Sequence, residues 1–475
     1  MSFYPSTVAS GGDKGGFCGV VAEGRVAGLL SVPAAASECN ENAAAGAEGG
    51  GVGASSWETT VSAATVELIE EKAGRSSWSL ENRQFRYWLL DRLHGLLPYE
   101  SRERACHRIS SDSSSVTLNR ATGKARYCGV CRCENPWVCP LCAPIIQAAR
   151  AEQVSSVLKW GHAEGVAFLK LAFTCAHELG DPLADLLDRQ VKALRSFKGA
   201  RAVRLLLREI GFIGSVTSKE ATWGPSAGWH PHQHEYWMCS RVDGVDLDLL
   251  KAKLSAQWSR ACERQGLYAN PAFGLYLGRR KEDEIKAGAE SGYLTKSGTA
   301  AGYLVKSGTA AAIELAGGAY KQASKPHKQG HLSPMELLAT DRPWADELFL
   351  EFYRAFKGRK QLVFSRAILR IYGDLFGTEP GEDWEPVEVD NGYQKDDEVV
   401  IALDYGRLNA LREAKKAVTV LELVESGRIR EAADLVERVW ADWVDERYRR
   451  AVAWYRADGA AFGPDPAYQD GVVLW

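Results

Sequence analysis

The chain lacks the features of membrane-spanning and exported proteins. Among its 475 residues, no apolar run approaches the length of about 18 residues that crosses a membrane. Its N-terminus, MSFYPSTVASGGDKGG, contains no basic segment followed by an apolar core, which a secretory signal requires. We therefore expect no membrane partner and a cytoplasmic location. The chain has 11 cysteines, and in the reducing cytoplasm closely spaced cysteines bind metal more often than they form disulfides.

The chain also lacks the net positive charge of many nucleic-acid-binding proteins. Its net charge is −3, and its hydrophobic and charged fractions, 45% and 25%, are ordinary for a globular protein. Basic residues nevertheless outnumber acidic ones over 101–210 and 351–372, whereas acidic residues are concentrated after residue 378. Because local basic patches govern phosphate binding, this composition permits a nucleic-acid partner without requiring one.

The length is about three times that of a typical domain and predicts two or three folded units. Residues 1–77 are rich in Ala, Gly and Ser and are predicted to form a disordered leader. The remaining boundaries follow the composition: a helix and a Cys-rich module over 78–145, mixed strands and helices over 146–375, and an acidic linker with helices over 376–475.

Hydrophobic periodicity predicts the secondary structure of several segments. They are a helix over 78–97, a strand over 166–174, a helix over 183–197, a hairpin whose strands 210–222 and 235–240 flank a turn at 223–228, and helices beyond about residue 400. Both kinds of secondary structure are therefore expected in the folded part of the chain.

Three of the nine histidines lie at alternate positions in the segment Gly228-Trp-His-Pro-His-Gln-His234. In an extended strand His230, His232 and His234 project from one face. Neutral imidazole is the commonest protein ligand for divalent ions. The segment therefore indicates a metal site, and the alternative is a chance cluster in a surface loop.

A second group of candidate ligands is the cysteine-dense segment that ends at residue 142. Two Cys-x-x-Cys pairs can present four thiolates to one tetrahedral Zn²⁺ of structural type. The candidates are Cys128, Cys131, Cys133, Cys139 and Cys142, with Cys106 and His107 upstream, so the choice of four ligands is open. The alternative is a set of reduced thiols without metal.

A direct repeat occupies residues 292–311, whose two ten-residue copies differ only at Thr295 and Val305. Each copy contains Tyr-x-x-Lys: Tyr293 with Lys296, and Tyr303 with Lys306. On a helix, residues three apart share a face, and a lysine beside a phenol favours the phenolate and holds phosphate. This suits a tyrosine that attacks a phosphodiester. The alternative is an ordinary helical Tyr and Lys pair with the tyrosine half-buried.

Together these motifs resemble the plasmid rolling-circle replication initiators (Rep proteins) of the HUH endonuclease superfamily. The resemblance extends over about residues 125–370 and rests on four segments besides the Tyr-x-x-Lys copies: 132–142, 174–188, 220–232 and 358–365. One departure is Gln233, because the residue between the paired histidines is normally bulky and hydrophobic.

The resemblance implies an α+β fold, with an HUH-endonuclease-like antiparallel sheet flanked by helices, a small Cys-rich zinc module and a helical C-terminal region. Residues 146–375 would then be the nicking and joining domain. The implied ligands of a catalytic Mg²⁺ or Mn²⁺ are His232, His234 and Glu220, with His230 either beside the site or in a turn. The implied nucleophile is Tyr303, favoured over Tyr293 by the acidic-Leu pair Glu314-Leu315 downstream, with Lys306 or Lys296 neutralising phosphate charge.

The implied substrate is single-stranded or extruded origin DNA in a bacterial cytoplasm. Candidate backbone contacts are Arg354, Lys357, Arg359, Lys360 and Arg366, whose alternative role is a solvated helix face. The sequence contains no phosphate-binding Gly-x-x-x-x-Gly-Lys-Ser/Thr loop, so strand separation requires a separate helicase beside the host replication machinery. Whether the chain forms a homo-oligomer stays open.

Two other functions are compatible with the motifs: an HUH transposase or relaxase with the same chemistry, and a non-catalytic zinc-containing DNA-binding regulator.

Overall fold

The computed structural model describes residues 83–108, 110–279, 331–376 and 396–458. Several sequence-based predictions fall outside these ranges. They are the leader over 1–77, the duplicated Tyr and Lys pairs, and most of the acidic linker.

The described residues form helices and strands in mixed order. The helices are α1 (Arg83–Leu96), α2 (Arg102–Ala105), α3 (Cys142–Ala163), α4 (Leu183–Gly199), α5 (Arg201–Glu209), α6 (Leu247–Glu263), α7 (Pro334–Thr340), α8 (Pro343–Phe356), α9 (Arg366–Phe376), α10 (Tyr405–Glu413), α11 (Ala417–Glu425) and α12 (Ile429–Asp458). The strands are β1 (Ser110–Asn119), β2 (Lys124–Val130), β3 (Ala167–Phe173), β4 (Phe212–Gly224), β5 (Gly228–Cys239), β6 (Leu275–Arg279), β7 (Leu362–Phe364) and β8 (Asp397–Leu403). No helix among them is long and apolar enough to cross a membrane.

Two antiparallel sheets organise these elements. The larger has five strands in the order β6-β3-β5-β4-β7, and the smaller has three in the order β2-β1-β8. Every strand pair in both sheets is antiparallel. This confirms the prediction of an α+β fold with antiparallel sheets and flanking helices.

The centre of the larger sheet is the long hairpin of β4 and β5, which the sequence predicted with shorter strands. Its turn is confined to residues 225–227, and pairing continues from Gly224 opposite Gly228. Gly228 has a φ of 73°, and a Cβ there would lie 3.0 Å from the Glu178 carbonyl oxygen. A glycine is therefore required where the strand restarts. As a result His230 lies within β5, paired with Thr222, and not in the turn.

Each face of the larger sheet carries its own buried cluster. Odd-numbered side chains of β3 and β5 face α4, α6 and α8; Phe173, for example, packs edge-on against Phe197 and Trp258 with ring centroids 5.3 and 5.1 Å away. Even-numbered side chains such as Val216 and Tyr236 form a smaller cluster with α3 and α9. Because the side chains of a strand alternate, His230, His232 and His234 project from this second face, called here the metal face.

An ion pair behind the histidines joins β5 to α4. The Glu235 side chain is fully buried and accepts hydrogen bonds from Lys198 Nζ (2.7 Å), Thr217 Oγ1 (2.8 Å) and Trp237 Nε1 (2.7 Å). A buried carboxylate is tolerated only when it is paired and hydrogen-bonded in this way. The pair therefore holds the histidine strand against α4.

Replacing Lys198 with methionine is expected to lower the free energy of unfolding by about 2–3 kcal/mol. This is below the loss for a fully buried pair, because Lys198 is partly exposed. Urea unfolding of the purified chain measures the change. Lys192→Met, an exposed lysine on the same helix, is the matched control and should unfold like the wild type. Equal midpoints for all three proteins would contradict the role assigned to the pair.

The C-terminal segment packs against the segment that precedes the larger sheet. Strand β8 pairs with β1, the Tyr127 hydroxyl donates to the Ala417 carbonyl (2.8 Å), and Arg412 pairs with Asp91 (2.5 Å). The predicted helical C-terminal region contains α10, α11 and α12, together with β8 as an added strand. The domain boundaries at 77, 145 and 375 stay predictions.

Candidate metal centres

The two long strands bring Glu220, His232 and His234 together on the metal face. Glu220 of β4 is paired directly with His232 of β5, and His234 is the next residue of β5 on that face. Directly opposed residues of an antiparallel pair project from the same face. The register of the hairpin, with its three-residue turn, therefore aligns a carboxylate with two imidazoles.

The geometry of this group suits a divalent cation. Glu220 Oε1 accepts a hydrogen bond from His234 Nε2 at 2.8 Å and another from His232 Nε2. One ligand atom from each residue lies within 4.8 Å of the others, with Glu220 buried and the histidines half-buried. A mixed set of imidazole nitrogens and a carboxylate oxygen suits Mg²⁺ or Mn²⁺ better than a set of thiolates does. The three side chains could thus hold a metal ion.

A second histidine pair lies beside this group: His230, which was predicted either beside the site or in a turn, and His177, which was not predicted as part of the site. His177 Nδ1 is 2.7 Å from the Ala227 carbonyl oxygen, and His177 Nε2 is 2.7 Å from His230 Nδ1. Because a carbonyl only accepts, His177 donates from Nδ1, and its Nε2 is hydrogen-bonded to His230 Nδ1. Burial, with nearby His232, lowers the pKa of His230 to about 3, so the ring is neutral. His230 is therefore joined to His177 as a neutral imidazole beside the Glu-His-His group.

Other side chains hold the histidine strand from its opposite face. Glu351 accepts from Trp229 Nε1 (2.8 Å) and from the Leu183 backbone N–H (2.8 Å), which joins β5 to the start of α4. Gln190 donates to the Pro231 carbonyl at 3.2 Å. Gln233, the departure noted above, is buried, and its Nε2 has no hydrogen-bond partner in the described part of the chain. The amide therefore occupies a position where an apolar side chain would fit.

Four buried cysteines form the second group of ligands. Cys106 Sγ lies 3.7 Å from Cys139 Sγ and 3.6 Å from Cys142 Sγ, and Cys133 Sγ lies 3.8 Å from Cys142 Sγ. Tetrahedral zinc with Zn–S bonds of about 2.3 Å places its sulfurs about 3.8 Å apart. All four sulfurs lie within 4.8 Å of one another. This group could therefore bind a metal as a closed, structural site.

The four cysteines that the structure brings together differ from the four that form the two Cys-x-x-Cys pairs. It keeps Cys133, Cys139 and Cys142, adds Cys106, and leaves Cys128 and Cys131 outside the group. Cys128 lies on β2, where its Sγ is 3.3 Å from Thr117 Oγ1. Cys106 enters because the backbone N–H of His107 donates to the Cys131 carbonyl (2.9 Å), which brings the end of α2 to this loop. Sequence spacing alone does not reveal that contact.

The four thiols influence one another's ionisation. Hydrogen bonds from Cys106, Cys133 and Cys139 lower the pKa of Cys142, whereas burial raises the pKa of Cys139 well above its ordinary value. A bound cation would stabilise the deprotonated form of all four thiols.

The other predicted residues are placed as follows. Arg354, Lys357, Lys360 and Arg366 are exposed along the end of α8, the loop after it and the start of α9. Arg359 is tied to Asp188 (2.7 Å) and to the Ala355 carbonyl (2.6 Å). The predicted nucleophiles Tyr293 and Tyr303 and their lysines Lys296 and Lys306 lie outside the described residues.

The fold and the two ligand groups define an α+β protein with a buried four-thiol group and a Glu-His-His group on an antiparallel hairpin. No family model and no solved structure matches the chain. It is similar to the Streptomyces lividans protein named "Protein rep", with 26% identity over 327 residues, 55% of this chain and 68% of that protein. It is also 30% identical over 151 residues to the "Neomycin resistance protein" of Streptomyces cyanogenus, a match that covers 26% of this chain and 34% of that protein. The similarity to a protein named Rep confirms the resemblance to Rep proteins.

Proposed function

We propose that this protein is a plasmid replication initiator that nicks one DNA strand at the origin and later rejoins it. The observation that carries the proposal is the alignment of Glu220, His232 and His234 on one face of a long hairpin. The similarity to the Streptomyces lividans protein named Rep supports the same role. On this proposal the hairpin belongs to an HUH-type nicking domain.

The chemistry follows from the ligand set and the repeated tyrosines. His232, His234 and Glu220 would hold Mg²⁺ or Mn²⁺, which when bound polarises the scissile phosphate and stabilises charge on the leaving oxygen. The phenolic oxygen of Tyr303, or of Tyr293, forms the new bond to phosphorus and loses its proton. The bond from phosphorus to the 3′ oxygen breaks, and that oxygen gains a proton as a free 3′-hydroxyl primer. Lys306 or Lys296 offsets phosphate charge, and the reverse reaction rejoins the strand.

The four-thiol group has a supporting role in this proposal. Cys142 is the first residue of α3, and α3 packs through Ala151, Val154 and Val157 on the metal face of the larger sheet. Zn²⁺ bound by Cys106, Cys133, Cys139 and Cys142 would therefore fix the start of a helix that covers this face. The zinc module positions the sheet and takes no part in the cleavage.

The DNA would reach the metal face as a single strand, because a phosphate must enter the metal site in an extended conformation. Exposed cations at Arg354, Lys357, Lys360 and Arg366 are the proposed backbone contacts. Such contacts supply affinity that falls with salt but carry no sequence information. A separate helicase and the host replication machinery would act on the product.

The test is the formation of a covalent protein–DNA adduct. We expect the full chain, mixed with single-stranded origin DNA and Mn²⁺, to yield an adduct that survives denaturation. We expect one of Tyr293→Phe and Tyr303→Phe to abolish it, because phenylalanine keeps the ring and removes the attacking oxygen. Electrophoresis of denatured samples with labelled DNA measures it. The absence of any wild-type adduct, or its survival in the double Phe variant, would overturn the proposal and favour a non-catalytic regulator.

A further inference from the structure

An exposed aromatic ring shares the metal face with the Glu-His-His group. Tyr276 of β6 pairs with Ala172 of β3, and Ala172 pairs in turn with His234 of β5. Because directly paired residues share a face, Tyr276 projects on the same side of the sheet as His234. With strands about 4.8 Å apart, the two Cα atoms lie about 10 Å from each other. The residue between them on that face, Ala172, is small.

The ring of Tyr276 rests on the sheet because its neighbour along the strand has no side chain. A Cβ on Gly278 would lie 2.5 Å from the phenolic oxygen and 3.0 Å from Cζ of Tyr276. The outer part of the ring therefore lies over Gly278. The residue is nevertheless 52% exposed. The ring is thus supported from below and open above.

The packing of β6 does not require an aromatic side chain at this position. Leu275 and Leu277, on either side of Tyr276, are buried on the opposite face, and they supply the contacts of β6 with the core. Lys170 of β3, paired with Gly278, adds a cation to the metal face next to the ring. A ring with an open face, near a cation and near the candidate metal centre, is a surface on which a nucleobase can stack.

We propose that Tyr276 is the stacking platform for one base of the DNA strand whose phosphate lies at Glu220, His232 and His234. This inference rests on the proposed function and adds to it the path of the bound DNA. The DNA runs from the metal centre across Ala172 toward the β6 edge of the sheet. Stacking tolerates any base because every base has a π face, so the platform orders the strand without reading its sequence.

The test measures binding of short single-stranded DNA to the full chain, with abasic sites placed one position at a time. Tyr276→Ala is expected to weaken binding by about 5- to 150-fold, the effect of losing one stacked base. Tyr276→Phe keeps the ring and should bind like the wild type. Gly278→Val should also weaken binding, since a branched side chain displaces the ring. One abasic position should weaken wild-type binding and leave Tyr276→Ala binding unchanged.

Tyr448→Ala, which removes a 67% exposed tyrosine of α12, is the matched control and should bind normally. Thermal unfolding establishes that each variant is folded. Equal binding by Tyr276→Ala and the wild type, or an unchanged abasic penalty in Tyr276→Ala, would overturn the platform while the wild-type adduct still forms. Loss of the wild-type adduct is a different result and overturns the proposed function itself.

Discussion

Replacing Glu220 with alanine is expected to slow the proposed Mn²⁺-dependent cleavage of single-stranded origin DNA by at least about 100- to 1000-fold, the cost of losing one group that stabilises transition-state charge. Glu220 supplies the carboxylate of a group whose other members, His232 and His234, offer imidazole nitrogens. Without this carboxylate only two imidazole nitrogens remain as ligands, and a hard cation that prefers oxygen ligands binds to them weakly. The same variant should bind Mn²⁺ much more weakly.

Calorimetric titration of the full chain with Mn²⁺ alone measures the metal affinity independently of cleavage. Glu220→Gln keeps the size and one oxygen but removes the charge, and it should fall between the wild type and Glu220→Ala. Glu164→Ala, at an exposed position just after α3, is the matched control and should leave both measurements unchanged. Wild-type Mn²⁺ affinity in Glu220→Ala would mean that Glu220 is not a ligand and would remove the basis of the proposed mechanism.

The second large effect concerns the four-thiol group. Cys106→Ser is expected to abolish the zinc binding proposed for this group and to lower the melting temperature by about 10 °C or more, which corresponds to a loss of several kcal/mol in a protein of this size. The consequence spreads beyond the loop because Trp137, in the same segment, packs against Phe352 and Phe356 of α8. Cys142 also begins α3. Zinc content by mass spectrometry and thermal unfolding of the full chain measure the two effects.

The matched control is Cys128→Ser, a buried cysteine of the same segment that lies outside the group. It should keep the wild-type zinc content, and its melting temperature should change little, because serine can replace the thiol beside Thr117. A chelator should destabilise the wild type and Cys128→Ser alike and have little further effect on Cys106→Ser. Loss of zinc in Cys128→Ser with retention in Cys106→Ser would show that the two Cys-x-x-Cys pairs are the ligands after all.

Much of the larger sheet could be predicted because its signals are local. The apolar alternation in β3 and the turn residues before Gly228 both act within a few positions of the chain, and the structure confirms the strand and the hairpin. The helix pattern of α4 was predicted to end at 197 and continues to Gly199. Helix ends are set by competing local hydrogen bonds, so such differences of two residues are expected.

The environment of the candidate metal centre could be predicted only in part. Alternation within one strand places His232 and His234 on a common face. The approach of His177 to His230 depends instead on the loop that follows β3. Gln233 illustrates the same limit, since burial behind the histidines is a property of the packed helices and not of the strand. Tyr276 reaches this face only through the pairing of β6 with β3.

The sequence by itself determined that His230, His232 and His234 project from one face of the sheet, because the two-residue period of an extended chain decides which side chains share a face. Glu220 followed from the family resemblance and not from this period, and the tertiary structure decided how the partners of each group come together. The hairpin register aligns Glu220 with His232, and the packing of α2 against the Cys-rich loop admits Cys106 and excludes Cys128. The physical reason is that alternation along a strand relates only residues that are neighbours in the chain. A ligand group needs atoms within a few ångströms of one another, and burial and strand pairing bring such atoms together from distant segments.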